Sequence, residues 1–130
     1  TIVGDVAQKC GGSITHVDLE LYGQCTAFCA EDATSSNIVF HEDAGKWSSY
    51  SAKYCTIKYL RNVEYGCASG IQNCKIHFTG DVKEECGLGE LDSKFYSHKY
   101  EILRKIKRIT GSGCKFIKIN KDGEHVYGIT

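Results

Sequence analysis

The feature that most constrains this chain is its cysteine content, with eight cysteines in 130 residues. An even number of cysteines spread along a short chain is typical of exported domains that are held together by disulfides. Their spacing does not form the paired CxxC knuckles that tetrahedral zinc sites favour. We therefore expect a secreted protein stapled by four disulfides, whose pairing the sequence leaves open. The cysteines are Cys10, Cys25, Cys29, Cys55, Cys67, Cys74, Cys86 and Cys114.

Length and hydropathy indicate one globular domain. A chain of 130 residues builds one hydrophobic core, so we expect a single domain over residues 1–130. The longest apolar runs are strand-sized and fall far short of the ~18 residues that a membrane span needs. We therefore expect no membrane span. A start at Thr1 without a methionine is what removal of a signal peptide would leave, which agrees with secretion.

Hydrophobic patterning predicts many short elements. The chain has no proline, glycines punctuate turns, and no internal repeat or linker is apparent. Alternating or β-branched residues predict strands over 17–21, 37–40, 54–60 and 74–78. The C-terminal segments 115–120 and 124–130 predict a β-hairpin with Asp122-Gly123 at its turn.

Two further segments carry helical signals. The cluster of small and apolar residues over 24–33 predicts a short helix with Cys25 and Cys29 on one face. Residues 101–110 fit either a helix or a strand. The predicted fold is therefore α+β: a small single domain with an antiparallel β-sheet, one or two short helices and disulfide staples.

The charge is distributed unevenly although the chain as a whole is neutral. Residues 1–45 contain one basic and seven acidic residues, a net charge of −6, whereas residues 94–121 contain nine basic and one acidic residue, a net charge of +8. Either the two ends pack side by side and neutralise each other, or the second segment forms a basic face for an anionic partner. The candidate binding residues on that face are Arg104, Lys105, Lys107, Arg108, Lys115 and Lys118.

The sequence holds no recognisable cofactor or nucleotide motif, and we expect neither a cofactor nor a metal. One alternative is an intracellular zinc module, since Cys25, Cys29 and His41 are ligand types at a loose spacing.

Several segments resemble a known family. Phe40-His-Glu-Asp43, followed by Ser49-Tyr50-Ser51-Ala52-Lys53-Tyr54, is similar to the H-E-D and S-Y-P-H-K-Y segments of the small secreted guanyl-specific fungal ribonucleases. Their Y-E-x-P-I-L strand, glycine-rich loop, R-V-x-F-N strand and G-V-I-T strand have similar segments here in the same order, at residues 100–103, 110–113, 116–120 and 127–130. Together these segments cover under half of the chain. The resemblance implies a ribonuclease-like fold.

The catalytic residues of that family are mostly replaced. In the family, a histidine and a glutamate act on the ribose 2′-hydroxyl, an arginine stabilises the phosphorane and a final histidine protonates the leaving oxygen. Here Glu101 matches the glutamate, and Tyr50 matches the tyrosine beside the first histidine. Ala52 takes the first histidine's place, Lys115 or Phe116 falls at the arginine, and the chain stops at Thr130 before the last histidine. The resemblance thus implies a scaffold without turnover.

These observations predict a non-catalytic, secreted, cysteine-rich effector of a plant-pathogenic fungus. The resemblance implies a virulence or avirulence role, in which a monomer binds a host protein or is recognised by a host immune receptor, with entry into host cells left open. The alternative is a secreted ribonuclease or killer-toxin-like protein acting on RNA. Tyr96-Ser-His-Lys-Tyr100 is a second match to the histidine motif and would make His98 and Glu101 its catalytic pair. The neutral net charge predicts that any RNA binding is weak.

Overall fold

Parallel β-strands dominate the structure, a computed structural model that describes residues 6–8, 12–82, 92–99, 101–103, 114–119 and 125–129. Residues 101–103 form a single helical turn. The strands are β1 (Val6–Gln8), β2 (Asp18–Leu21), β3 (Cys25–Ala27), β4 (Asn37–Phe40), β5 (Ala44–Lys46), β6 (Thr56–Tyr59), β7 (Lys75–Phe78), β8 (Lys94–Ser97), β9 (Lys115–Ile119) and β10 (His125–Ile129).

Five strands of the larger sheet, β2, β4, β6, β7 and β8, recur at a fixed spacing. Asp18 pairs with Asn37, Asn37 with Thr56, and Thr56 with Lys75, all in parallel. Side-chain hydrogen bonds between neighbouring coils join residues 19 apart, as between Asn37 and Asp18. The chain therefore winds into coils of 19 residues, each of which adds one strand to the sheet. This repeat was missed in the sequence, where no repeat was apparent.

The coils stack as a β-solenoid. The larger sheet has the order β10-β9-β8-β7-β6-β4-β2, and the smaller has the order β1-β3-β5. Every pair in both sheets is parallel except β9 with β10. The prediction of an α+β domain built on an antiparallel, ribonuclease-like sheet is therefore wrong. In a solenoid, each coil buries its apolar side chains against the coils before and after it.

Two columns of side chains fill the interior behind the larger sheet. In each strand alternate residues point inward, so equivalent positions of successive coils lie one above another. In the aromatic column, the rings of Phe40 and Tyr59 stack with centroids 4.9 Å apart, and those of Tyr59 and Phe78 with centroids 5.4 Å apart. The other column is buried throughout and consists of Leu19, Ile38, Ile57, Ile76, Phe95 and Phe116.

Left-handed backbone conformations form the corners between sheets. One residue per coil, just before the larger sheet, has a φ between 49° and 55°. This conformation costs a non-glycine residue roughly 1–2 kcal/mol, so the surroundings must hold it. Hydrogen bonds between coils do so: the N–H of Ser35 donates to the carbonyl of Lys53 at 2.9 Å, and that of Tyr54 to Gln72 at 3.0 Å. The five corner residues are His16, Ser35, Tyr54, Asn73 and Asp92.

Several local predictions are confirmed. Strands lie within the predicted segments 17–21, 37–40, 54–60 and 74–78, and β9 and β10 pair antiparallel, as the C-terminal hairpin required. The predicted hairpin turn at Asp122-Gly123 lies outside the described residues.

The helix predicted over 24–33 is wrong. The segment begins with β3 and then turns a corner at which Phe28, Ala30 and Asp32 all have positive φ. Alternating left-handed residues cannot continue a right-handed helix. Cys25 and Cys29 form a disulfide with each other across this corner.

Candidate functional site

The outer face of the larger sheet carries a row of lysines at its C-terminal end. Lys75 of β7 pairs in register with Lys94 of β8, which pairs with Lys115 of β9. Neighbouring strands lie ~4.8 Å apart, so the three side chains leave the sheet at that interval. We call these three residues the lysine ladder.

Strand alternation turns the ladder towards solvent. The residue after each lysine is buried in the interior column: Ile76 after Lys75, Phe95 after Lys94 and Phe116 after Lys115. Side chains of successive strand residues point to opposite faces. Lys75 and Lys115 are exposed and Lys94 is half-buried. The apolar column that stabilises the solenoid therefore also fixes where the ladder points.

A second outward row runs beside the ladder. Lys58, His77 and Tyr96 stand in register on β6, β7 and β8, two residues further along each strand. The rings of His77 and Tyr96 stack with centroids 4.4 Å apart and an interplanar angle of 7°. Basic groups on the outer face thus lie beside a stacked aromatic pair, of which His77 is half-buried and Tyr96 is buried.

The electrostatic environment of this face is positive. Burial lowers the pKa of His77 to about 4, and the charges of Lys58, Lys75 and His98 lower it in the same direction. Burial also raises the pKa of the Tyr96 phenol. Near pH 7 both rings are therefore neutral, and the lysines carry the charge of the face.

No partner within the described residues neutralises these lysines. The ion pairs found there join His41 to Glu20, Arg61 to Glu42 and Lys99 to Asp81. None of them involves Lys58 or a residue of the ladder. Like charges directly opposite each other on neighbouring strands are destabilising, so the ladder lowers the stability of the isolated protein.

The opposite end of the same face is acidic. Asp18 of β2 occupies the position that lysines occupy on β7 to β9, and Glu20 occupies the position of Lys58 on β6. Asp18 accepts a hydrogen bond from Asn37, and Glu20 pairs with His41 at 3.1 Å. Three strands, β4, β6 and β7, lie between β2 and β8 in the sheet. Charge is therefore separated along the solenoid axis, which argues against the first alternative, that the two ends of the chain pack side by side.

The predicted binding residues agree with this face only in part. Lys115 belongs to the ladder, and Lys118, on the same strand, is half-buried. Arg104, Lys105, Lys107 and Arg108 lie outside the described residues. The list of candidate residues missed Lys58, Lys75 and Lys94, although Lys94 begins the basic segment 94–121 and Lys75 lies one repeat before it.

Both catalytic residues of the ribonuclease alternative are exposed, and both follow β8 in the chain. His98 directly follows β8, and Glu101 lies in the helical turn. Glu101 lines a shallow hollow of about 190 Å³ with Asp81, Val82 and Ile102. His98 is not among the residues that line this hollow.

The cysteines are in different states. The bond between Cys25 and Cys29 confirms that the chain forms a disulfide, and it occupies both sulfurs that the zinc alternative needed as ligands. No cluster of three metal-ligating side chains occurs among the described residues. Cys55 and Cys74 are buried thiols, and Cys67 donates a hydrogen bond to the carbonyl of Gly45 at 3.0 Å. Cys114 is half-buried, and Cys10 and Cys86 lie outside the described residues.

A second exposed patch surrounds the only tryptophan. Trp47 is half-buried and makes edge contacts with the rings of Tyr50 and Tyr65. Its indole lies against Gly66, where a β-carbon would approach within 2.5 Å of it. The hollow of about 290 Å³ between Phe28, Trp47 and Tyr50 is almost entirely apolar. It has too few polar groups to orient a small ligand.

Comparisons with protein-family models, curated proteins and solved structures found no match to this chain. In the part of the chain that the structure describes, no helix is long and apolar enough to cross a membrane. The functional argument therefore depends on the outer face itself.

Proposed function

We propose that this chain is a secreted, non-catalytic binding protein of the effector type, which docks as a monomer on an acidic surface of a host protein. The observation that carries the proposal is the lysine ladder with its neighbour Lys58, which has no counter-charge within the described residues. An anionic partner would relieve the repulsion between these lysines, and this relief favours the binding of such a partner.

The chemistry of the face favours binding over catalysis. General acid–base catalysis requires a group that changes protonation near the working pH. The pKa of His77 is held near 4, so at neutral pH its imidazole is an uncharged ring stacked on Tyr96. This imidazole is therefore poorly suited to general acid–base catalysis near pH 7.

The axial charge separation favours a compact acidic partner over a long polyanion. A uniformly charged polymer laid along the outer face would meet the lysines and then Asp18 and Glu20. A folded protein can match the basic end and avoid the acidic one. For the same reason, and because the net charge is zero, we expect RNA to bind weakly.

The ribonuclease-like scaffold does not enter this proposal. RNA cleavage by His98 and Glu101 was inferred from a resemblance whose fold is not the fold of this chain.

Charge reversal tests the docking face. The probe is a short oligoglutamate peptide, compared with an oligouridylate of matched charge, in titrations at low and high salt. We expect the double variant Lys75→Glu/Lys94→Glu to bind the peptide about tenfold more weakly at low salt. The matched control, Lys46→Glu/Lys53→Glu, makes the same charge change at exposed positions outside the larger sheet and should retain more of the binding. Equal losses in both variants, or tighter binding of the oligouridylate, would contradict the proposal.

Secretion is tested separately in the organism that makes the protein. An antibody against the folded chain should detect it in the extracellular medium with the Cys25–Cys29 bond intact. Retention of the protein inside the cell would remove this part of the proposal.

A further inference from the structure

A column of small polar side chains runs through the corner that precedes the larger sheet. It consists of Ser36, Cys55, Cys74 and Ser93, each of which directly follows a left-handed corner residue and is buried. Ser36 accepts a hydrogen bond from the N–H of Val17 at 3.1 Å, and Ser93 accepts one from Cys74 at 3.2 Å. The Cys74 sulfur likewise accepts one from the N–H of Cys55 at 3.4 Å. Each side chain thus satisfies a backbone donor of the coil before it.

The middle of this column brings two thiols together. Cys55 and Cys74 precede the register pair Thr56 and Lys75, and the N–H of Lys75 donates to the carbonyl of Cys55 at 2.9 Å. Adjacent strands lie ~4.8 Å apart, which falls within the ~4.4–6.8 Å that a disulfide spans between Cα atoms. Both side chains point into the same corner, so a bond between them requires no change of register.

We propose that Cys55 and Cys74 are a redox-active pair that forms a disulfide between adjacent coils. The oxidant is a small-molecule disulfide of the glutathione class. The thiolate of Cys55 attacks it and releases one thiolate, leaving a mixed disulfide at Cys55. Cys74 then loses its proton and attacks the Cys55 sulfur, and the second thiolate leaves. Two protein thiols are oxidised to one disulfide, and one small-molecule disulfide is reduced to two thiols.

The environments of the two sulfurs agree with this order of attack. The hydrogen bond from the Cys74 thiol lowers the pKa of Cys55 to about 7, aided by the N–H of Ser36 and opposed by burial. The pKa of Cys74 is raised, first because its thiol donates to Cys55 and then by burial. At neutral pH Cys55 is therefore the better nucleophile of the pair. Because both sulfurs are buried, we expect the bond to form while the coils are still stacking and to form slowly in the folded protein.

Disulfide mapping tests the pairing. The wild-type chain is refolded in reduced and oxidised glutathione, alkylated under denaturing conditions and digested with trypsin without reduction. We expect fragment 54–58, which contains Cys55, to be linked to fragment 62–75, which contains Cys67 and Cys74. Fragmentation of the linked peptide identifies which sulfur is bonded and needs no variant. Alkylation of Cys55 in the oxidised wild type, or a bond from Cys55 to any sulfur except that of Cys74, would overturn the proposal.

Serine variants give a second test with a matched control. Ser36 and Ser93 show that serine fits this column, so Cys74→Ser should keep the hydrogen bonds and leave Cys55 open to alkylation. Cys67→Ser, in the same tryptic fragment, should leave the bond intact. The bond closes a loop of twenty residues, so reduction of the oxidised Cys67→Ser protein should lower Tm by about 10 °C more than reduction of Cys67→Ser/Cys74→Ser. Equal shifts would mean that no such bond had formed.

Discussion

The two ends of the parallel part of the larger sheet, β2 and β9, share an interior and differ in their outer face. Behind β2 the interior column holds Leu19, and behind β9 it holds Phe116, both buried and apolar. On the outer face, the position of Asp18 in β2 is that of Lys115 in β9. Backbone pairing and interior packing therefore hold each coil, and the outward residues can differ in charge from coil to coil. The interior specifies the solenoid, whereas the outer face is free to specify a partner.

The largest expected effect on stability comes from a substitution in the apolar interior that the two ends share. Phe78 is fully buried between Tyr59 and Phe95, with ring centroids 5.4 Å and 6.3 Å away. We expect Phe78→Ala to lower the free energy of unfolding by about 3–5 kcal/mol in urea titrations, because a cavity replaces the ring. The neighbouring exposed residue gives the control, since Thr79→Ala should cost less than about 0.5 kcal/mol. Similar costs for the two variants would mean that the column does not specify the fold.

An intermediate effect on stability is expected when the pH is lowered, because His77 lies at the basic end of the outer face. The pKa of His77 is about 4 in the folded protein and 6.5 in the unfolded chain, so between these values the unfolded chain binds more protons. The stability that comes from keeping His77 neutral is fully present above about pH 6.5 and is lost as the pH falls to about 4. We expect this loss to amount to roughly 1–3 kcal/mol after solvent screening.

The His77→Gln variant separates this contribution from that of the carboxylates. It should show a shallower fall in stability than the wild type over the same pH range, measured by thermal unfolding. If the variant follows the wild-type curve, the lysines and the burial around His77 do not act on its ring as described.

The sequence allowed prediction of the strands but not of their arrangement. Segments such as 37–40 and 74–78 alternate clearly, because one side of each strand is buried and the other exposed. The period of 19 was hidden because the residues of a column stay apolar but change in type, as between Ile76 and Phe95. Left-handed corners were hidden because residues such as Tyr54 occupy conformations that are usually assigned to glycine.

Only the sign of the charge at the candidate site could be predicted from the sequence. The C-terminal excess of basic residues left two interpretations open, mutual neutralisation of the two ends or a basic face for an anionic partner. Strand register decides which lysines share a face, and register follows from the repeat. Cysteine spacing carried the clearest unused signal, since Cys10 and Cys29, Cys55 and Cys74, and Cys67 and Cys86 are each 19 residues apart.

The smallest effect distinguishes the two ends of the outer face directly. Lys94 stands between Lys75 and Lys115, so Lys94→Gln should raise the free energy of unfolding by a few tenths of a kcal/mol at low salt. Asp18→Asn should give no gain, because Asp18 accepts a hydrogen bond from Asn37 instead of facing a like charge. Salt screens exposed charges, so the gain of the Lys94 variant should disappear at high ionic strength in paired denaturant titrations. A gain that persisted at high ionic strength would come from packing. The lysine ladder would then not be a row of mutually repelling charges that an anionic partner stabilises.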